Sequence, residues 1–364
     1  MPLSIGIIGL PNVGKSTIFN ALCSGKAAIE NYPFCTIEPN QGVVAVPDAR
    51  LARLSSLSPA GKVVPAFLQL FDIAGLVKNA SQGEGLGNQF LGHIRTVDAL
   101  AHVVRCFDDP NVAHVDGSVD PVRDVEIIET ELIIKDLETV ERAYEKIEKA
   151  AKTGDKEAKT RVGTLKKAIS LLEQGTAIRD GSFETNERGV IGELSLLTSK
   201  PELYIANVDE EGIEEGTEYS KALENYAAQK GLAVITLCGK IEAELTELPE
   251  EEQKEFLESL GLVEPGLNVL VRALYSLLGL QTFYTLNENE NHAWTFTRGT
   301  TAPQAAGKIH SDFEKGFIRA EVYRLEDLEQ HGSLNAIRSA GKLRSEGHDY
   351  VVGDGDILYF KFNV

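Results

Sequence analysis

Short apolar runs alternate with stretches of helical spacing in the first hundred residues. Residues 3–8 form an apolar run that suits a buried parallel strand, and Ile18, Phe19, Ala21 and Leu22 follow with helical spacing. Similar runs predict further core strands at residues 67–71, 99–106, 203–208 and 233–238. Strands that alternate with helices are typical of an α/β fold, and we expect one here.

The pattern changes at about residue 121 to a long, charged helix. One strip of this helix is apolar and consists of Ile127, Leu132, Ile134, Leu137, Val140, Tyr144 and Ile147. After a break at residues 153–155, the periodicity continues through Leu165, Ile169 and Leu172. The two stretches predict an antiparallel helical hairpin, and because each strip is narrow we expect a projecting coiled-coil arm. The alternative is a helical layer packed on the sheet.

The chain from about residue 281 onward is rich in β-forming residues. Strand-like runs lie at residues 294–297, 317–322 and 357–362. In the last run, Leu358, Phe360 and Phe362 share one face, so we expect a small mixed domain. Residues 302–310 and 340–344 supply local positive charge, which could hold an RNA phosphate or simply be surface.

The strongest chemical signal is a glycine-rich loop between the first strand and the first helix. Residues 9–17 read G-L-P-N-V-G-K-S-T and satisfy the pattern G-x-x-x-x-G-K-[ST]. In such a loop, backbone N–H groups surround a phosphate, Lys15 adds a positive charge and Ser16 offers a hydroxyl to Mg²⁺. The alternative is a glycine-rich turn that binds nothing, but the strand before it and the helix after it favour a phosphate site.

Two later segments carry groups that such a phosphate site needs. Residues 31–40 place two prolines around Thr36, which is a candidate for a switch threonine that closes over the terminal phosphate and its Mg²⁺. The alternative is a turn threonine without a ligand. Asp72 follows an apolar run and opens a D-x-x-G motif that ends at Gly75. The motif predicts a carboxylate on the magnesium side and an amide at the γ-phosphate.

Leu76 and two histidines bear on how an attacking water would be positioned. Leu76 stands where Ras-like switches carry a glutamine that orients the attacking water, and leucine cannot hydrogen-bond water. Hydrolysis is then very slow, or another group positions the water. The glycine-rich residues 83–88 suit a second switch. His102 suits a core histidine, whereas His114 lies in a predicted loop, either as a group that reaches bound water or as an ordinary surface histidine.

A tetrapeptide after the strand at 203–208 indicates which base is bound. Asn207, Val208 and Glu210 stand in the place of the guanine-reading motif N-K-x-D, with lysine and aspartate replaced. The extra methylene of Glu210 displaces the carboxylate that would accept from guanine, whereas asparagine can pair with adenine. The motif therefore favours ATP over GTP. Residues 242–258, farther along, predict an acidic, solvated helical surface.

Composition narrows the class of protein. The 364 residues carry a formal net charge of −19, which disfavours non-specific nucleic-acid binding, so any RNA contact must use a local patch. The sequence has no basic leader and no long apolar run, and we expect a cytoplasmic protein. Cys23, Cys35, Cys106 and Cys238 are widely spaced, which argues against structural zinc and disulfides and predicts reduced thiols in or near the core.

Four segments closely resemble the YchF group of Obg-like ATPases. They are G-L-P-N-V-G-K-S-T at 9–17, N-Y-P-F-C-T-I-E-P-N at 31–40, D-I-A-G-L-V at 72–77, and the tail from 302 to 317. The resemblance covers essentially the whole chain. It implies a Ras-like P-loop nucleotide-binding domain over 1–125 and 200–280, an inserted coiled-coil arm over 126–199 and a C-terminal β-grasp (TGS) domain over 281–364.

The resemblance also implies how the site works. ATP is the nucleotide, with Mg²⁺ held by Ser16 and Thr36 next to Asp72. Asn12 is expected to help coordinate K⁺, and His114 matches the family's catalytic histidine, acting with Lys15 and Thr36. The residues expected to bind the nucleotide are Asn12, Val13, Gly14, Lys15, Ser16, Thr17, Gly75, Asn207, Val208 and Glu210.

We therefore expect an ATPase with slow intrinsic turnover whose switch segments change its affinity for the ribosome. The large subunit is the expected partner, with rRNA contacts through the arm and the TGS domain, and no membrane or DNA partner is expected. Two alternatives remain open at this point. One is a true GTPase, and the other is an ATP-gated RNA-binding module in which hydrolysis is not essential.

Overall fold

The computed structural model describes residues 3–24, 40–73, 86–115, 117–152 and 155–363. Four residues discussed above lie outside these ranges: Cys35, Thr36, Gly75 and Leu76. Most of the expected switch segments 31–40 and 83–88 lie outside as well. The structure therefore neither confirms nor contradicts the roles expected of them.

The described residues contain twelve strands. They are β1 Ser4–Ile8, β2 Gln41–Ala45, β3 Lys62–Val64, β4 Phe67–Asp72, β5 Ala99–Arg105, β6 Glu202–Asn207, β7 Val234–Leu237, β8 Leu280–Leu286, β9 Glu290–Thr297, β10 Phe317–Tyr323, β11 Arg344–Glu346 and β12 Ile357–Phe362. Strands are present at all the apolar runs from which the sequence predicted them.

Fifteen α-helices accompany the strands in the same residues. They are α1 Lys15–Cys23, α2 Ala49–Leu57, α3 Leu86–Thr96, α4 Pro121–Lys152, α5 Lys156–Glu173, α6 Thr185–Gly192, α7 Gly212–Glu215, α8 Glu218–Lys230, α9 Gly239–Glu247, α10 Glu250–Ser259, α11 Gly266–Leu277, α12 Ala302–Ile309, α13 Ser311–Lys315, α14 Leu325–His331 and α15 Leu334–Ser339. Short 3₁₀ turns occur at Ile178–Asp180 and Leu197–Ser199. Within the residues that the structure describes, no helix is both long and apolar enough to cross a membrane.

The first sheet has the strand order β2-β4-β1-β5-β6-β7. The pairs from β4 through β7 are parallel, and Ile5 of β1 lies opposite Leu70 of β4 and Ala99 of β5. Every residue of β1, β5 and β6 is buried, as expected for strands covered by helices on both faces. Because the strands are parallel, their carboxyl ends meet at one edge of the sheet, where the predicted site residues follow them.

Contacts between residues divide the chain into two compact units. The first contains residues 1–24, 37–42 and 69–269, and the second contains residues 25–36, 43–68 and 270–364. The sheet of the second unit has the order β11-β10-β12-β8-β9-β3, in which β3 pairs with β9 in parallel. An early segment of the chain thus completes the C-terminal sheet, which the domain division expected from the sequence does not anticipate.

The helical hairpin predicted after residue 121 is present as α4 and α5. Leu132 and Val140 of the predicted strip are buried, but Ile134 is 37% exposed, so its assignment to the buried strip was wrong. Val125 and Ile128 are buried instead. Adjacent apolar residues such as Ile133 and Ile134 leave the phase of the strip undetermined in the sequence, and only the packing partners of the helix decide which of them is covered.

The buried face of α4 also carries a charged residue. Asp136 is fully buried and accepts hydrogen bonds from the backbone N–H groups of Leu197 and Thr198, at 2.8 and 2.7 Å, and from the Thr198 hydroxyl at 2.6 Å. Burial raises the pKa of the Asp136 carboxyl, because desolvation outweighs these hydrogen bonds. This carboxylate joins α4 to the 3₁₀ turn that precedes β6.

The acidic surface predicted over residues 242–258 is only partly correct. Glu242 is 2% exposed and accepts hydrogen bonds from the backbone N–H groups of Gly266 at 2.7 Å and Leu267 at 3.3 Å. It therefore caps the start of α11 rather than facing solvent, and its burial raises the pKa of its carboxyl. The sequence could not show this, because the amides that it caps lie 24 residues farther along the chain.

Among the described cysteines, Cys106 and Cys238 are buried and Cys23 is half-buried, and all three are free thiols. The predicted location in or near the core is thus confirmed for them. Burial, with a smaller contribution from the negative charge of Asp72, raises the pKa of Cys23 to about 11. A thiol that stays protonated at neutral pH is a poor nucleophile, so Cys23 is expected to be unreactive.

We predict that Asp136→Ala destabilises the first unit by about 3 kcal/mol, because two buried amides and a hydroxyl lose their acceptor. The loss should appear as a lower urea midpoint in circular dichroism. Glu138→Ala is the matched control, since Glu138 lies on the same helix in partly exposed ion pairs with Lys135 and Arg142, and it should change stability by less than about 0.5 kcal/mol. Equal midpoints for the two variants would contradict the role of Asp136.

Candidate nucleotide-binding cleft

The glycine-rich loop connects β1 to α1 with a backbone conformation that suits a bound anion. Asn12 and Gly14 have positive φ angles of 63° and 89°, and α1 begins directly afterwards at Lys15. Among the described residues, no side chain caps this end of α1, and the first turn of the helix contains no acidic residue. The first backbone N–H groups of the helix are therefore left for a ligand, and the helix dipole favours a negative one.

Three polar side chains of the loop and of β4 meet in front of this helix end. The Lys15 ammonium forms an ion pair with Asp72 Oδ1, and the Ser16 hydroxyl lies 3.4 Å from Asp72 Oδ2. Both side chains of the ion pair are largely buried. The parallel register of β1 and β4 places Asp72 beside Ile7, just before the loop begins, which explains why residues 57 positions apart meet here.

The hydroxyl and the carboxylate also test whether Mg²⁺ fits. Mg²⁺ prefers oxygen ligands, and the Ser16 hydroxyl and the Asp72 carboxylate are an oxygen donor set at hydrogen-bond distance from each other. Lys15 already neutralises Asp72 from the other side. The residues present therefore fit the expected metal.

Asn207 holds the phosphate loop and the loop after β7 together. Its Nδ2 donates to the Val13 carbonyl at 2.9 Å, and its Oδ1 accepts from the Gly239 amide at 2.9 Å. The side chain is buried, and a Cβ added at Gly14 would collide with its amide nitrogen. The sequence predicted a base-reading role for Asn207, whereas the structure shows a structural bridge that uses one of its two N–H groups.

Val208 and Glu210, which belong to the same tetrapeptide as Asn207, have different environments. Val208 is 2% exposed and packs in the hydrophobic core beneath the cleft. Glu210 is exposed and forms an ion pair with Lys240 at 2.6 Å, which raises the pKa of the Lys240 ammonium. This pair stands at the rim of the cleft, at the place where the sequence predicted that a base is read.

These residues line one cleft with a volume of about 1090 Å³. The lining residues are Leu10, Pro11, Asn12, Gly14, Lys15, Ser16, Thr17, Asn40, Asp72, Phe107, Asp108, Asp109, Pro110, Val112, Asn207, Val208, Asp209, Glu210, Glu211, Cys238, Gly239 and Lys240. Most of the predicted nucleotide contacts thus share one cavity. The structure brings together the phosphate loop, the Asp72 carboxylate and the tetrapeptide at residues 207–210.

One wall of the cleft is a loop that Arg105 organises, a role that the sequence did not reveal. The buried guanidinium of Arg105 donates to the carbonyls of Phe107, Asp109 and Val112 at 2.9–3.2 Å. It also lies 4.7 Å from the centre of the Phe107 ring. The only signal in the sequence is an arginine at the end of a predicted core strand. It does not show which carbonyls the side chain will contact.

The same loop is tied to the phosphate loop and carries His114. Asn12 Nδ2 donates to the Ala113 carbonyl at 3.2 Å. The side chain of the next residue, His114, contacts the start of α4. Its side chain is 6% exposed, and its Nε2 lies 2.8 Å from Asp124 Oδ2 at the start of α4. His114 is therefore not among the cleft-lining residues in this conformation.

We predict that Asn207→Asp weakens ATP binding more than Asn207→Ala does. Asn207→Ala leaves the Val13 carbonyl and the Gly239 amide without a partner, and each unpaired group costs about 1–3 kcal/mol of free energy. Asn207→Asp in addition places a carboxylate oxygen next to the Val13 carbonyl oxygen, and the two oxygens repel each other. Calorimetric titration with ATP should show a loss in affinity of at least about tenfold for Asn207→Ala. Asn111→Ala, which removes an exposed turn amide bonded to Asp109, should bind like the wild type. Wild-type affinity in Asn207→Ala would refute the bridge.

Two family models and several curated relatives match this chain. Residues 4–148 match a family model described as "50S ribosome-binding GTPase", and residues 280–363 match the YchF-GTPase C-terminal model, described as a protein of unknown function. The chain is 50% identical to "Ribosome-binding ATPase YchF" of Bacillus subtilis (strain 168) and to the protein of the same name from Escherichia coli O157:H7. Each match covers all of both chains.

A solved structure gives the same answer for the fold. The structure of the Schizosaccharomyces pombe YchF GTPase superposes with a TM-score of 0.90 at 41% identity, covering 99% of this chain and 97% of that one. Identity of this level over the full length, together with the phosphate loop and the N-x-x-E tetrapeptide, is enough to assign the family. The chain belongs to the YchF family of P-loop nucleotide-binding proteins.

Proposed function

We propose that this protein is an Mg²⁺-dependent ATPase that binds the ribosome and acts as a nucleotide-dependent switch. The observation that carries the proposal is the uncapped start of α1, in front of which Lys15, Ser16 and Asp72 converge. This arrangement suits a polyphosphate with its metal. Relatives that are 50% identical over the full length carry the name ribosome-binding ATPase, which supports the same activity here.

Each group at the phosphate end has a role in the proposal. The backbone amides from Val13 to Thr17 bind phosphate oxygens, and Lys15 moves from Asp72 to the phosphates when they enter. Ser16, Asp72 and the switch residue Thr36 would hold Mg²⁺, which when bound neutralises charge on the phosphates. Lys15 then stabilises the charge that develops during phosphoryl transfer.

ATP is the proposed nucleotide, although the matched family model and the yeast structure carry the word GTPase. Guanine recognition needs a carboxylate that accepts from N1 and N2 of the base. Glu210 has a longer side chain than the aspartate of such sites, and it is already paired with Lys240 at 2.6 Å. Asn207 has a second N–H group, beyond the one bonded to Val13, that can donate to a purine nitrogen.

We further propose that His114 positions the attacking water and that K⁺ assists. Leu76 cannot orient water, so another group is needed. Asn12 donates to Ala113 through its amide nitrogen, which leaves its amide oxygen as the end with which it could hold K⁺ near the phosphates. A cation there would add positive charge where the phosphates carry negative charge. The Gly75 amide would contact the γ-phosphate.

The partner proposed is the large ribosomal subunit, in the cytoplasm, with rRNA contacts through the arm of residues 126–199 and the domain of residues 281–364. We propose no DNA or membrane partner. The net charge of −19 confines RNA binding to local basic patches. A GTPase and an ATP-gated RNA-binding module that does not need hydrolysis are the two alternatives, and each gives a different result in the experiments below.

We predict that Glu210→Asp shifts the preference toward GTP. The shorter carboxylate leaves Lys240 and can meet the guanine N1 and N2 donors, so the ratio of GTP to ATP affinity should rise by at least about fivefold in competition binding. Glu210→Ala is the control, because it also breaks the pair with Lys240 but adds no acceptor, and it should leave the ratio unchanged. A wild-type preference for GTP would reverse the assignment of the base.

We predict that phosphate release requires ATP and Mg²⁺ and is faster in K⁺ than in Na⁺. Adding EDTA should abolish it, and Lys15→Ala should lower it by at least about 100-fold. Asn12→Ala should remove the difference between the rates of phosphate release in K⁺ and in Na⁺.

We also predict that the ATP-bound protein co-sediments with purified 50S subunits and does not co-sediment with 30S subunits. Turnover lost in His114→Ala with 50S binding and cellular function intact would favour the RNA-binding module over the ATPase.

A further inference from the structure

The side chain of His114 is held at the first turn of α4. His114 Nε2 and Asp124 Oδ2 are 2.8 Å apart, and the two side chains are 6% and 3% exposed. A hydrogen bond between a carboxylate and a ring that are both shielded from water is stronger than one at the surface. The imidazole is thus fixed in a defined place, and that place is outside the cleft lining.

Asp124 is itself fixed to the start of the helix. Its backbone N–H donates to the Asp120 carbonyl at 3.0 Å, and the Arg123 guanidinium lies 3.2 Å from its second carboxylate oxygen. Arg123 also donates to the Ser118 carbonyl. The carboxylate that bonds His114 therefore belongs to the hydrogen-bonded first turn of α4, and its second oxygen is paired with Arg123.

The backbone beside His114 is held at the nucleotide side instead. Asn12 of the phosphate loop donates to the Ala113 carbonyl, and Arg105 holds the Val112 carbonyl from below at 2.9 Å. Two consecutive residues therefore carry a carbonyl bonded to the phosphate loop and an imidazole bonded to α4. The backbone of this loop and the ring of His114 are thus held by different elements of the fold.

We propose that Asp124 is the positioning residue for His114, holding the imidazole out of the cleft, and that a shift of α4 releases it. The inference rests on the role proposed above for His114. Beyond this first turn, α4 runs from the sheet core, where Val125 packs, to the hairpin with α5, where Val140 packs. A partner that moves the hairpin thus acts on the same helix that holds the histidine, which couples partner binding to hydrolysis.

We predict that weakening the bond raises the basal rate of ATP hydrolysis. Loss of a hydrogen bond of this kind increases the share of released imidazole by about fivefold, so kcat without ribosomes should rise about fivefold in Asp124→Ala and in the isosteric Asp124→Asn, with KM for ATP unchanged. In a His114→Ala background, Asp124→Asn should change nothing, because the residue through which Asp124 acts is absent.

Chemical access to the ring gives a second, independent measurement. Diethyl pyrocarbonate modifies exposed imidazoles, and mass spectrometry assigns the modified residue. His114 should react slowly in the wild type and several times faster in Asp124→Asn. This measurement needs no nucleotide, so it reports the position of the ring even where turnover is altered by a change in stability.

The matched control is Glu126→Ala, two residues after Asp124 on α4. The Glu126 side chain is exposed, so the variant removes a nearby carboxylate and leaves the hydrogen bonds of the helix start and of His114 in place. Its turnover and its diethyl pyrocarbonate labelling should match the wild type. Turnover at or below the wild-type level in both Asp124 variants, with unchanged labelling of His114, would overturn the inference.

If the proposed role of His114 in hydrolysis is itself wrong, the His114 and Asp124 variants give a different pattern of turnover. If His114→Ala hydrolyses ATP as fast as the wild type, His114 has no part in the reaction and the proposed mechanism fails, whatever the Asp124 variants do. If His114→Ala is inactive and the Asp124 variants gain no activity, the mechanism stands and only the positioning role of Asp124 fails. Thermal unfolding of each variant identifies any that are not folded, and Asp124→Asn serves if Asp124→Ala is one of them.

Discussion

The unpaired amides at the start of α1 are the constraint on which the rest of the site depends. A helix that begins without a capping side chain leaves several N–H groups in need of a partner, and an anion supplies one. Gly14 permits the backbone turn that aims these groups into the cleft. The charges beside them compensate each other, because Lys15 pairs with Asp72. The start of α1 and this ion pair thus line the same cleft.

The parallel sheet brings the other residues of the site to the start of α1. The carboxyl ends of β1, β4 and β6 lie at one edge, so the phosphate loop, Asp72 and Asn207 meet although the chain separates them widely. Asn207 then fixes the distance between the phosphate loop and the loop after β7 with two hydrogen bonds of 2.9 Å. A residue expected to read the base therefore also keeps the two halves of the cleft in register.

The loop after β5 links this site to the helical hairpin. Arg105 holds the loop from inside, Asn12 holds it at Ala113, and Asp124 holds the His114 side chain. The phosphate loop and α4 are thus bonded to neighbouring residues of one loop. Arg105 makes three hydrogen bonds to this loop and Asn12 makes one, so the buried side of the loop is held more firmly than the carbonyl of Ala113.

The sequence by itself determined the phosphate loop, the order of strands and helices in the first unit and the helical hairpin, because each depends on residues close together in the chain. It did not determine that Ile134 is exposed, that Glu242 caps a later helix, or that β3 joins the C-terminal sheet. Those outcomes depend on which distant residues meet after folding. The bond between His114 and Asp124 is of the same kind: ten residues separate them, and only the packing of the loop against the start of α4 brings them together.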